Sequence, residues 1–114
     1  VTATFRMTDI WRSFIAQRCL WEIGQGVTFH SPSEVYQERN EHDLMNDFEL
    51  EVPGYLNNEG IVETLQGLTL DGTMTENLYD CYYELARKEL FNRVELESVE
   101  QWVNDYENVA KHLG

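Results

Sequence analysis

The sequence predicts a mainly α domain, with four to five helices around one core and at most one short two-stranded pairing near the N-terminus. Three observations carry this. From Glu34 onward apolar residues recur at helical spacing, interrupted by turn signals at Pro53-Gly54 and at Leu70-Asp71-Gly72. Apolar residues make up 42% of the 114 and aromatics 12%, too much packing material for a disordered segment. No internal repeat, low-complexity tract or long linker divides the chain. Residues 1–114 therefore read as a single domain, too short for separate nucleotide and acceptor lobes.

Residues Thr2 to Met7 alternate loosely and include β-favouring Thr and Phe, which suggests a short strand. Thr8 then suits an N-cap, with Asp9 in the first turn where the helix dipole favours negative charge. This helix runs to Ile23 and stops at Gly24. Val27 to Pro32 is a second extended piece that could pair with the first, marginal without helices to cover it. Leu44, Met45, Phe48 and Val52 mark a helix that Pro53-Gly54 should break, and Ile61, Val62, Leu65 and Leu68 mark the next. Thr73 to Glu76 has the pattern of a capping box, opening a helix with Leu78, Cys81, Tyr82, Leu85 and Ala86 on one side. The last helix, Glu95 to about Leu113, carries the cleanest apolar stripe, from Leu96 through Trp102 and Tyr106 to Leu113.

The charge excludes some partners. With 21 acidic residues against 8 basic, the net charge is −13, so the chain repels phosphates and lacks the counterion-release drive behind nucleic-acid binding. No polybasic patch suits an anionic membrane, and no apolar stretch approaches the ~18 residues of a span. Cys19 and Cys81 sit in apolar helical patterns without a second Cys or a His at metal spacing, which predicts two reduced, buried thiols. A cytoplasmic location fits such thiols. The chain opens with Val1, not Met, which suggests an unusual start codon or a piece of something longer.

At 100° per residue, Asp9, Arg12, Ser13, Ala16 and Gln17 share one face of the first helix. Ile10, Phe14 and Trp21 form one apolar stripe, and Trp11 and Ile15 another; Arg18 and Glu22, four apart, can pair. The ordinary reading is an amphipathic helix with an ion pair beside its core. The functional one places Asp9 and Arg12 in a cleft, as an acid–base carboxylate and a guanidinium suited to phosphate or carboxylate.

The run FRMTDIWRSFIAQRCLWE resembles the signature of a glycosyltransferase-like family that includes the plant STELLO proteins. Members carry a similar Asp-Ile-Trp-Arg-Ser run, then Ala-Gln-Arg and Leu-Trp-Glu. The likeness is specific over Arg6 to Glu22, fair to about Leu44, and beyond that one of helical character. The resemblance implies a GT-A-like fold in which a Rossmann-type half binds a sugar nucleotide, with a metal held by an acidic motif. This chain is similar to the C-terminal part only: it has no Asp-x-Asp triplet and no Gly-rich phosphate loop. The family analogy places Asp9, Trp11 and Arg12 at the edge of a sugar or nucleotide site.

The resulting expectations are a small acidic helical module, a detached, non-catalytic fragment from a truncated gene or mobile gene cassette that self-associates or binds a partner. A homodimer would bury the outer face of the first helix through Phe14, Arg18, Trp21 and Glu22. The alternative is the acceptor-side half of a glycosyltransferase, active only with a separate sugar-nucleotide-binding protein. Asp9 is the candidate catalytic carboxylate, and Trp11, Arg12 and His30 are candidate ligand contacts. A third reading, an acidic regulator mimicking a polyanion, is opposed by the mixed charge along every helix. No cofactor or metal is expected for this chain alone: Glu38, Glu41, His42, Asp43 and Asn46 form a polar patch that reads as a solvated helix face. Tyr79, Tyr82 and Tyr83, which could stack on a sugar, read as packing residues.

Overall fold

The computed structural model describes residues 3–31, 38 and 41–114. Four helices follow one another: α1 (Phe5–Glu22), α2 (Leu44–Gln66), α3 (Met74–Arg87) and α4 (Val94–Leu113). The mainly α expectation holds, but no strand occurs among the described residues, so the two-stranded pairing is corrected. Its N-terminal half is absorbed into α1. Thr4, not Thr8, is the extended N-cap residue, and its carbonyl accepts from the backbone N–H of Met7 and of Thr8. The Thr8 hydroxyl also donates to that carbonyl, at 3.0 Å. Thr2 and Pro32, the outer ends of the two expected pieces, lie outside the described residues, as do 33–37, 39 and 40.

The expected break at Pro53-Gly54 is also corrected, because α2 runs straight through it. Proline there has no N–H to offer the carbonyl four residues back, a local loss that ordinarily ends or kinks a helix. Two hydrogen bonds beside the proline, one from α1 and one within α2, hold the helix there. The Thr4 hydroxyl donates to the carbonyl of Leu50 at 2.6 Å, and the Asn57 amide donates to the carbonyl of Pro53 at 2.8 Å. Gly54 is buried with Met7 lying where a Cβ would stand, so its missing side chain lets α1 approach closely.

α1 and α2 run parallel. Thr4 meets Leu50, Trp11 meets Asn58 and Arg18 meets Leu65, a separation in sequence that stays at 46 or 47 residues along both helices. Such a pairing cannot be made with a tight turn between the two helices. α1 stops in a Schellman cap, with Gly24 at φ 69, the Gly24 N–H on the Trp21 carbonyl and the Gln25 N–H on the Leu20 carbonyl. Asp43 then caps α2, its carboxylate accepting from the N–H of Met45 and Asn46.

α3 returns antiparallel to both: Cys81 lies beside Cys19 near the end of α1, while Phe91, just past α3, packs on Trp11 near its start. The expected capping box is present, with Thr73 and Glu76 satisfying each other's backbone N–H. Buried Asn77 closes the preceding loop, donating to the Gly72 carbonyl and accepting from its N–H. α4 folds back along α3, with the Thr75 hydroxyl donating to Glu107 at 3.1 Å, and packs on no other described helix.

The core is Met7, Trp11, Ile15 and Cys19 on one stripe of α1, with Ile61, Leu65, Leu70, Cys81 and Leu85. Both thiols are free and buried. They share a hydrogen bond, which, ahead of burial, pushes the Cys81 thiol far above the usual range. The same bond holds Cys19 below it. Arg18 is buried here too, donating from Nε to the Leu65 carbonyl and from Nη2 to that of Leu68, with Glu22 on Nη1. It thereby caps the carbonyl end of α2. The radius of gyration is 16.4 Å, against about 13 Å for a compact domain of this length. Large apolar side chains stay exposed on α2 (Leu44, Met45, Phe48, Leu56) and α4 (Trp102, Tyr106, Val109, Leu113).

Candidate functional site

The start of α1, the proline of α2, the end of α3 and the α3–α4 turn converge on a cleft of about 250 Å³. Each wall has a local cause. On α1, Thr8, Trp11 and Arg12 share adjoining faces through 3- and 4-residue spacing, with Thr4 at the cap below them. On α2, Pro53 lies beside Thr4 in the lining because the Thr4–Leu50 bond holds the helix there. On α3, Tyr82 is one residue from the core stripe and so projects to its edge.

The turn after α3 is sharp. Lys88 is the C-cap and Glu89 adopts the left-handed conformation at φ 59, with the Glu89 N–H on the Ala86 carbonyl and the Leu90 N–H on that of Leu85. This brings Leu90, Phe91 and Asn92 to the cleft, and Glu95 follows in the first turn of α4.

Three aromatic rings pack against one another in its wall. Trp11 and Phe91 lie 5.5 Å apart between centroids, and Phe91 meets Tyr82 edge-on at 5.6 Å. The Trp11 indole N–H donates to Oδ1 of Asn58 at 2.7 Å, which fixes the ring. Two opposite charges border this surface, Arg12 and Glu95. Burial first, and then the Glu95 carboxylate, push the Tyr82 phenol above its usual value, while the Arg12 guanidinium acts the other way. A phenol, a carboxylate and a guanidinium thus face one space. Together they can donate and accept hydrogen bonds to a polyhydroxylated ring whose C–H face lies on the aromatics.

The structure separates the candidate residues. Trp11 and Arg12 line the cleft together. Asp9 does not: its side chain is 88% exposed, and it accepts from Arg12 at 3.0 Å on the outer surface. His30 is exposed in the connector after α1 and takes no part in the lining. Phe14, Arg18 and Trp21 border a second, apolar groove of about 210 Å³ between α1 and α2, with Val62 and Leu65 opposite, while Glu22 sits behind it on Arg18. Of the tyrosine cluster, Tyr82 alone reaches the cleft; Tyr79 and Tyr83 stack on each other along α3. Sequence reasoning did not assign Phe91, Asn92 or Glu95 to a site. The one local signal for them was an aromatic directly after a helix stop.

Among the described residues no three of His, Cys, Asp and Glu converge as a metal site. In the polar patch before α2, His42 instead lies 3.1 Å from Asp47, which is paired with Arg6. Among the described residues no helix is long and apolar enough to cross a membrane.

A family profile described as STELLO glycosyltransferases matches residues 6–113. That is well beyond the N-terminal signature, and takes in α3, the turn and α4. No curated protein and no solved structure matches the chain.

Proposed function

The chain belongs to the STELLO glycosyltransferase family, and on that premise we propose that it is the acceptor-side module of a glycosyltransferase. Its cleft holds an acceptor sugar, and a sugar-nucleotide-binding partner supplies the donor site. The observation that supports this reading is the cleft itself, where Trp11, Phe91 and Tyr82 are bordered by one guanidinium and one carboxylate. A donor diphosphate calls for several cations or a metal. Here the single guanidinium already pairs with Asp9, and Glu95 faces the same space. A neutral ring with hydroxyls suits such a balanced site better.

Isothermal titration with free pyranosides and with a uridine diphosphate sugar tests this. Binding of the neutral sugar, weakened by Arg12→Ala and by Glu95→Gln, is the expected result. Tight binding of the nucleotide sugar that both variants leave intact would overturn the assignment.

A second reading, self-association through α1, draws on the apolar groove that Phe14 and half-exposed Trp21 border. Buried Arg18 is bonded to α2, so reversing its charge would disturb folding before assembly. Trp21→Glu is the cleaner probe. Light scattering that finds a dimer, split by Trp21→Glu, would support this reading; a monomer at micromolar concentration would count against it.

A further inference from the structure

We infer that the acceptor is an extended, uncharged glycan, which leaves the cleft along an aromatic track on α4. The inference rests on the acceptor-side reading and adds the length of the ligand to it. Glu95 lines the cleft, and Trp102 and Tyr106 follow it by 7 and 11 residues. At 100° per residue these positions return to within about 20° of the Glu95 direction. The cleft-facing edge of α4 therefore continues as the exposed aromatic edge. The helix rises about 1.5 Å per residue, so the two rings lie beyond the reach of one pyranose seated in the cleft.

The rings are built for a surface contact, not for the core. Trp102 and Tyr106 stack at 5.5 Å with planes 15° apart, and each is 54% exposed. Among the described residues α4 packs only on α3, so none of the other described helices covers them. Beside them, Gln101 donates to Asp105 at 3.0 Å, leaving amide and carboxylate oxygens at the edge of the strip to accept from hydroxyls. The cations of this region, Arg93 and Lys111, fall on the opposite side of the helix by the same 100° spacing. An anionic polymer would meet repulsion there. A neutral glycan, with C–H faces for the rings and hydroxyls for the polar edge, fits both halves of the surface.

The test is a length series on the whole chain: β-1,4- and α-1,4-linked gluco-oligosaccharides from one to six residues, titrated against the parent, Trp102→Ala and Tyr106→Ala. Both positions are exposed, so the variants keep the fold, checked by circular dichroism. Affinity should rise with length in one linkage series by about tenfold. Each variant should flatten that rise while leaving monosaccharide binding unchanged. Affinity independent of length would overturn the track and leave the acceptor cleft standing. No saccharide binding at all would overturn both. A Trp102→Ala chain that changes oligomeric state but keeps the length dependence would reassign the strip to protein docking.

Discussion

Trp11 donates its indole N–H to Oδ1 of Asn58 at 2.7 Å, so a residue of α2 that lines no part of the cleft holds the ring that does. Asn58→Ala should lower stability by about 1–2 kcal/mol, read from urea denaturation. In a Trp11→Phe background the same change should cost much less, because the donor is already gone. Equal costs in both backgrounds would show that the bond contributes little.

Arg18 is a cap made from a distant helix. Its fork reaches two carbonyls at the end of α2 from a side chain only 8% exposed. Lysine keeps the charge but cannot present two fixed, diverging donors. Arg18→Lys should therefore lose about 2 kcal/mol, in the range of hydrogen bonds to charged groups, and a loss within 0.5 kcal/mol would contradict this (about the scatter of ordinary surface changes).

Two substitutions should stabilise. Glu89 holds a left-handed conformation that L-residues adopt at a cost, so Glu89→Gly should gain about 1 kcal/mol. Gly60 lies inside α2, where an added Cβ would meet the Leu90 methyls at ordinary van der Waals distance. Gly60→Ala should gain about 0.5–1 kcal/mol. Thermal melts of each variant decide, and a fall in Tm for Gly60→Ala would mean that the α2–Leu90 contact is tighter than its geometry indicates.

Stability should fall at acid pH. The Arg6 hydrogen bond and charge hold Asp47 below the usual carboxylate value, a backbone N–H from Thr73 does so for Glu76, and Arg87 does so for Glu84. A carboxylate depressed in the folded state stabilises fully above its unfolded value, near pH 4. That contribution is lost as pH falls through the folded value. All three are surface groups, so each effect is small and weakens with salt. Asp47→Asn should shallow the acid limb of a denaturation series and leave the slope above pH 6 unchanged.

Much of the fold was legible because α1, α3 and α4 carry their own periodicity and stop signals: Gly24 ends α1, and Thr73 with Glu76 opens α3. Pro53 misled because a contact that holds the helix beside it, the Thr4 hydroxyl on the Leu50 carbonyl, comes from 46 residues away and leaves no local pattern. The N-terminal strand misled because Phe5 to Met7 were weighed by β propensity, whereas the extended cap residue is Thr4. The Arg18–Glu22 pair was visible at four-residue spacing and forms, whereas of Asp9 and Arg12, expected together in a cleft, only Arg12 lines it. Which carboxylate shares the cleft with Arg12 was not visible. Glu95 arrives there through the Glu89 turn, and no local pattern links residue 95 to residue 12.

The parallel course of α1 and α2 has a consequence in time. The α3–α4 hairpin closes over a six-residue turn, 88–93, so its contacts form from neighbours in sequence. The α1–α2 pairing instead joins residues 46–50 apart, and the chain between them must be brought round before any of those contacts repays the lost entropy. Loop closure therefore favours the C-terminal hairpin forming ahead of the α1–α2 pairing that completes the cleft.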